Sequence, residues 1–254
     1  MSIAKELETT QDVTENVIVP PGDLYSDEPP LESELHLRQI ILLLNCLEWL
    51  WRDRNDFYAA GNLTIYYSQN QRRNENFRGP DFFVVLDTER KTRKSWVIWE
   101  EDGKYPNFIL EILSDSTAKV DRSLKKKLYQ NTFRTPNYFW FDPYTLEFAG
   151  FDLVIGEYQP IEPNDRGHLW SQQLELYLGI HQGLLRFFTA NGELVPTPEE
   201  QAESEREQKE YEREQKEYER EQKEYEREQK EIAQQKTEKL AAKLRELNID
   251  PDEI

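Results

Sequence analysis

The sequence predicts an α/β or α+β protein with a sheet at its centre. Three observations carry this: short runs rich in β-branched and aromatic residues, turn residues that bound them, and one central helical segment with strands before and after it. A sandwich is the poorer reading, because such a helix would interrupt its strands.

The elements follow in chain order. Residues 1 to 30 have no basic region followed by an apolar run, so they read as a disordered acidic arm rather than a signal peptide. LESELHLRQIILLLNCLEWLWRDR, from Leu31, reads as a helix with Ser33 as its N-cap. It is apolar nearly all round, which predicts deep packing or an interface. NLTIYYS and DFFVVLD are expected strands, bounded by Gly61 and by Gly79-Pro80, and SWVIWEED and NFILEILS are two more. VDRSLKKKLYQNTF is helical, with Leu124 and Leu128 four residues apart and Asp121 in its first turn. NYFWFDP, LEFAGFDL and GEYQPIEPN complete the sheet, giving a globular part over 31 to 197.

From Glu205 the heptad EREQKEY occurs three times before EREQKEI ends at Ile232, inside a charged repeat helix assigned to 198 to 254. A strict seven-residue period suits a left-handed coiled coil. Each heptad, however, offers one apolar residue, Tyr211, Tyr218, Tyr225 or Ile232, and the other seam positions are Gln215, Gln222 and Gln229. Glu205 with Lys209, and its three repeats, form i,i+4 pairs in the favourable order, each worth roughly 0.2–0.5 kcal/mol. The expectation is a solvent-exposed helix of about fifty residues, on the order of 75 Å long. Leu240, Leu244 and Leu247 form an apolar end, with Pro251 beyond the stop.

The formal charge of −18 divides unevenly: residues 1–35 carry −8, residues 201–254 carry −6, and the globular part is left near balance at −4. Its bases are bunched as Arg72, Arg73 and Arg78, then Arg90, Lys91, Arg93 and Lys94, then Lys119, Arg122, Lys125, Lys126 and Lys127. Such bunching makes either a phosphate-facing patch or a solvated mixed surface. A single Cys46 excludes an internal disulfide framework, and three scattered histidines exclude the usual structural zinc spacings, so a reducing cytoplasmic setting is expected. The most apolar run, IILLLNCLEWLW, is twelve residues long and holds Asn45 and Glu48, so no membrane crossing is expected. There is no G-x-x-x-x-G-K-[ST] phosphate loop and no Gly-x-Ser-x-Gly elbow.

One residue is out of keeping with its surroundings. FILEILS sets Glu111 in an apolar strand, where Ile109, Glu111 and Leu113 share one face and Phe108, Leu110 and Ile112 the other. A buried carboxylate requires compensation. Pro80-Asp81 opens another apolar strand, and two carboxylates from neighbouring strands make an oxygen site for a hard cation such as Mg²⁺. The plainer alternative is a turn pair and an edge glutamate.

GPDFFVVLD, then EILSDSTAKVDRSLKKKLY about thirty residues on, then NYFWFDP, resembles the PD-(D/E)XK nuclease superfamily. Within it the match is to the restriction-endonuclease-like family widespread in bacteria, over about 31 to 195. The resemblance implies a restriction-endonuclease-like mixed sheet flanked by helices, with Mg²⁺- or Mn²⁺-dependent cleavage of DNA. It carries the family's aspartate onto Asp81 and its glutamate onto Glu111. The superfamily's lysine, two residues after the second acid, is absent, because that position is Leu113. The family pattern of a helical lysine four residues before a tyrosine points to Lys125 before Tyr129; a surface lysine lying over Leu124 and Leu128 is the alternative. Glu34 and His36 lie on the first helix, from which an acid in related nucleases can approach the metal, but helix surface is the preferred reading; Trp96, Trp99, Trp140 and Trp170 are read as packing rather than base-stacking platforms. The competing function is a catalytically inactive nuclease-like scaffold acting through its helical tail. A homodimer, if formed, would use the globular domain, through the helix around Ile40.

Overall fold

In a computed structural model of the protein, the described residues are 24–27, 31, 33–68, 77–113 and 120–246. The chain divides into two units, 1–197 and 198–254.

The first unit is mixed α/β, as the sequence predicts. Its main sheet has six strands, β1 (Phe57–Gly61), β4 (Phe82–Leu86), β6 (Phe108–Ile112), β7 (Asn137–Phe141), β8 (Phe148–Val154) and β9 (Glu157–Pro160), in that spatial order. All neighbours are antiparallel except β6 and β7, which are parallel. Parallel neighbours require a crossover, and the chain makes it with helix α2 (Val120–Leu128) and a π-helical turn at Tyr129–Phe133.

Both faces of this sheet are covered, which explains why β4, β6 and β7 read as nearly continuous apolar runs instead of alternating ones. Phe82, Val84, Phe108, Leu110, Phe139 and Phe141 face one core, shared with helix α1 (Glu34–Leu50). That core is completed by a three-stranded sheet of β10 (Leu169–Ser171), β11 (Leu176–His181) and β12 (Leu184–Phe188). Phe83, Val85, Ile109 and Tyr138 face a second core with Tyr129 and Phe133 of the π turn. Ile65 and Trp96 join it from a small sheet of β2 (Ile65–Tyr66), β3 (Phe77–Arg78) and β5 (Trp96–Val97).

Helix α1 begins at the expected cap, where Ser33 Oγ accepts from His36 N at 3.2 Å. It is not buried all round. His36, Gln39, Ile40, Leu43, Cys46 and Leu47 form the buried stripe, whereas Leu37 and Ile41 are exposed. Gln39 earns its burial with two backbone bonds on β12, donating to Leu185 O at 2.8 Å and accepting from Leu185 N at 3.1 Å. Gly61 sets how closely α1 approaches: a Cβ there would lie 2.2 Å from Ile40 Cγ2.

Several elements depart from the sequence reading. SWVIWEED is a strand only at Trp96–Val97 and then turns, because the following acids lead into Gly103 at φ 73°. Strands β1, β3 and β10 to β12 are additional. The β11–β12 hairpin turns through Gln182 and Gly183, both at positive φ, which is the two-residue geometry that matches strand twist. Of the predicted disordered arm, the described residues 24–27 are tied down. Ser95 Oγ donates to Leu24 O at 2.7 Å, Tyr66 OH to Tyr25 O at 2.9 Å, and Asp27 N to Thr64 Oγ1 at 2.9 Å. The rest of the arm, Arg72, Arg73, Lys119, Leu247 and Pro251 lie outside the described residues, as do the side chains of Arg78, Asp121, Arg122 and Leu244.

The second unit is a helix, α3 (Pro198–Glu246), of 49 residues. Proline suits its first position, where the missing N–H has no intrahelical partner. The expected Glu–Lys ladder does not form: among the described residues the helix ion pairs are Arg213 with Glu210 at 3.8 Å and Arg227 with Glu231 at 3.4 Å. Long exposed side chains gain too little from pairing to be held in one geometry. Truncation after Pro198 is expected to leave the oligomeric state of the chain unchanged in multi-angle light scattering; conversion of a dimer to a monomer would refute this. Among the described residues no helix is long and apolar enough to cross a membrane.

Candidate active site

Three elements meet at the edge of the β4–β6 ladder. The register of β4 on β6 ends with Phe82 opposite Leu110, and Asp81 stands just before β4. Its Oδ2 accepts from Ile112 N at 2.6 Å, so a side chain satisfies the next part of β6 where strand pairing stops. Its Oδ1 lies 3.0 Å from His36 Nε2 on α1. Asp81, His36 and Glu111 are all buried.

Glu111 lies one residue before Ile112 and, with Ile109, faces the α2 side of the sheet. Strand alternation puts it on the face of Ile109; the crossover decides that α2 covers that face. Lys125 and Tyr129 are four residues apart, hence neighbours on one helical face, and each takes one carboxylate oxygen. Lys125 Nζ donates to Oε2 at 2.8 Å, and Tyr129 OH donates to Oε1 at 2.6 Å. Tyr129 opens the π turn, a distortion that recurs at functional sites.

Burial chiefly pushes the Glu111 carboxyl up, to about 7; the Lys125 ammonium opposes the rise, and the negative charge of Asp81 adds to it. Burial, then the neighbouring Glu111 charge, holds the Tyr129 phenol well above its ordinary range, so it stays protonated and remains a donor. Lys125 thus pairs with Glu111, and the charge of Asp81 is the second carboxylate felt by Glu111. Two neighbouring carboxylates fit a hard divalent cation, which typically uses one or two carboxylates and keeps its own waters. Among the described residues no group of three His, Cys, Asp or Glu side chains forms a metal-binding set.

The structure brings Asp81, Glu111 and Lys125 together, and Leu113 is buried beyond Glu111 on the strand. Two neighbours were not assigned from the sequence. His36 was read as helix surface but is only 6% exposed; its signal was the 3–4 spacing that puts it on one stripe with Gln39, Ile40 and Leu43. Tyr129 was a member of a motif without a role, and its position four residues after Lys125 was the available clue. Glu34 is indeed exposed and pairs with Arg38 at 2.7 Å.

The other lysines of α2 differ. Lys126 Nζ lies 3.3 Å from the Phe151 ring centroid, and Lys127 is exposed. The second basic bunch is largely occupied within the fold. Arg93 makes a bidentate pair with Glu101, at 2.6 and 2.8 Å, while lying over Tyr58 and Trp96. Arg90 approaches Glu48 at 3.5 Å, and Lys91 approaches Glu89 at 3.4 Å. Arg93 therefore stabilises the surface around β1 and β5, while Lys91 and Lys94 are exposed.

A family profile described as "Uma2: Putative restriction endonuclease" matches residues 11–187. No curated protein matches the chain. Among solved structures, the chain is similar to the crystal structure of "a putative nuclease belonging to DUF820" from Anabaena variabilis. The two are 12% identical with a TM-score of 0.43, over 57% of this chain and 76% of that one.

Proposed function

The chain belongs to the Uma2 family and is nuclease-like in that general sense; on this premise we propose that it is a Mg²⁺- or Mn²⁺-dependent DNA endonuclease that hydrolyses phosphodiester bonds. The observation that carries the reading is the convergence of two buried carboxylates and one ammonium where β4, β6 and α2 meet.

In this reading Asp81 and Glu111 hold the ion. When bound, the ion supplies a more acidic water and charge neutralisation at the phosphate. The remaining roles belong to the chain's own residues. Ile112 N–H fixes the rotamer of Asp81, with His36 Nε2 3.0 Å from its other oxygen, and Tyr129 fixes Glu111 through Oε1. Lys125, arriving from the helix because Leu113 occupies the strand position, keeps Oε2 in place and puts a positive charge beside the acids. An ammonium there can orient an attacking water or balance charge on the scissile phosphate.

The test is incubation of the full chain with supercoiled plasmid and single-stranded DNA in Mg²⁺, Mn²⁺ or EDTA. Nicking or linearisation with either metal, abolished by EDTA, is the expected result. DNA left intact under every metal condition would favour the inactive scaffold, the reading supported by Leu113 in place of the usual lysine.

Lys125→Ala is expected to lower the cleavage rate by roughly 10²-fold or more, the usual scale for a positioned proton-transfer or charge-balancing group, while Mn²⁺ binding persists. Lys126→Ala, which removes a contact with Phe151, is expected to leave the rate within about twofold of wild type. Equal losses in the two variants, measured in single-turnover plasmid nicking, would mean that the lysines merely attract phosphate.

A further inference from the structure

Helix α3 carries a side that its own unit leaves uncovered. Tyr211, Tyr218 and Tyr225 are 63%, 58% and 59% exposed, and Ile232, the next in the series, is 45% exposed. Seven-residue spacing keeps them on one side, with a drift of about 20° per heptad that a partner helix would absorb by supercoiling. With these residues at heptad position d, the a positions are Gln208, Gln215, Gln222 and Gln229. The seam is thus half amide and half three tyrosines with one isoleucine. It can pack against a partner's apolar side chains while the phenol and amide groups keep hydrogen bonds.

The flanks of the seam say which partner. Positions e are Glu205, Glu212, Glu219 and Glu226, and positions g are Glu207, Glu214, Glu221 and Glu228. Every flanking position along four heptads is therefore acidic. The lysines at b, Lys209, Lys216, Lys223 and Lys230, and the arginines at f lie away from the seam. A second copy of this helix would oppose glutamate to glutamate in a parallel pair, where g meets e, and equally in an antiparallel pair, where e meets e and g meets g. Such repulsion at flanking positions is the means by which coiled coils reject partners.

We propose that the 205–232 face of α3 is a docking surface for an amphipathic helix of another protein, apolar along its seam and flanked by lysine or arginine. Opposite charge at e and g attracts that partner while like charge excludes self-pairing, so the same eight glutamates determine both outcomes. The glutamine positions keep the pairing weak, since polar residues at a reduce coiled-coil stability. The proposal is independent of the nuclease reading and stands whether or not the first unit cleaves DNA.

The test uses the full chain and two labelled four-heptad peptides, identical in leucine and isoleucine seams, one with lysine and one with glutamate at every e and g position. Fluorescence anisotropy is expected to show saturable binding of the lysine peptide only, weakened at least about tenfold between 0.05 and 0.5 M NaCl. The triple variant Tyr211→Ser, Tyr218→Ser, Tyr225→Ser keeps every charge and is expected to bind the lysine peptide at least about tenfold more weakly, through loss of its aromatic anchors. Should that variant lose helix by circular dichroism, Glu214→Lys with Glu221→Lys provides the second arm. It is expected to move preference toward the glutamate peptide. Equal binding of the lysine peptide by wild type and an equally helical tyrosine variant would reduce the effect to bulk charge and overturn the proposal. So would equal binding of both peptides by the wild type, or a wild-type dimer that becomes a monomer in the tyrosine variant.

Discussion

Asp81→Asn and Glu111→Gln are each expected to lower Mg²⁺-dependent plasmid cleavage by about 10²- to 10³-fold or more, the scale of removing one preorganised electrostatic group from an active site. Titration calorimetry with Mn²⁺ should show binding lost in both variants. The amides are preferred to alanine for a structural reason. Asp81 accepts the Ile112 N–H, and Glu111 accepts from both Lys125 and Tyr129. Alanine would leave these buried donors unpaired, at a cost of about 1–3 kcal/mol for each group, whereas asparagine keeps an acceptor for Ile112 N–H, and glutamine keeps one acceptor for Lys125 and offers an N–H to the Tyr129 hydroxyl. Cleavage and Mn²⁺ binding at wild-type levels in either amide variant would remove that residue from the site.

The second large effect is on stability and its pH dependence. Burial raises the Glu111 carboxyl from its ordinary value of 4.5 to about 7 in the folded protein. The folded state therefore binds this proton more tightly than the unfolded chain does. Its stabilising contribution is fully present below pH 4.5, falls as pH rises toward 7, and is gone above that value. The full difference is about 3 kcal/mol, corresponding to several degrees in melting temperature for a domain of this size. Metal-free wild type is thus expected to melt lower at pH 8 than at pH 5 by several degrees more than Glu111→Gln does, because the amide has no proton to lose. Saturating Mn²⁺ at pH 8 should recover much of the loss for wild type alone. Parallel melting curves across pH for the two proteins, by differential scanning calorimetry in EDTA, would show that Glu111 titrates normally.

These two experiments read different properties of the same residue. Activity and metal affinity depend on the carboxylate as a ligand, whereas the pH term depends on its burial beside Asp81 and Lys125. An inactive scaffold could retain the second while failing the first. The stability measurement therefore still reports on the site if no DNA substrate is cleaved.

Features that depend on short-range chemistry were legible in the residues alone. Phe-rich apolar runs specified β4, β6 and β7, Ser33 specified the start of α1, and a heptad with one apolar residue specified an exposed α3. Glu111 stood out because a strand buried on both faces leaves no ordinary place for a carboxylate. Its facial neighbours followed from alternation alone. The fold decided what no local pattern contains. Two-residue strands such as β2 and β5 exist only because other segments complete their ladders, and β10 to β12 are held where the first core needs a cover. His36 became a neighbour of Asp81 because α1 packs its His36, Ile40 and Leu43 stripe over the sheet, with Gly61 permitting the close approach. Arg93, conspicuous as one charge in a basic bunch, was taken up by Glu101, Tyr58 and Trp96. In each case the deciding partner is distant in sequence or lies on a different element, and a charge or an imidazole acquires its role only when the chain brings that partner within hydrogen-bonding distance.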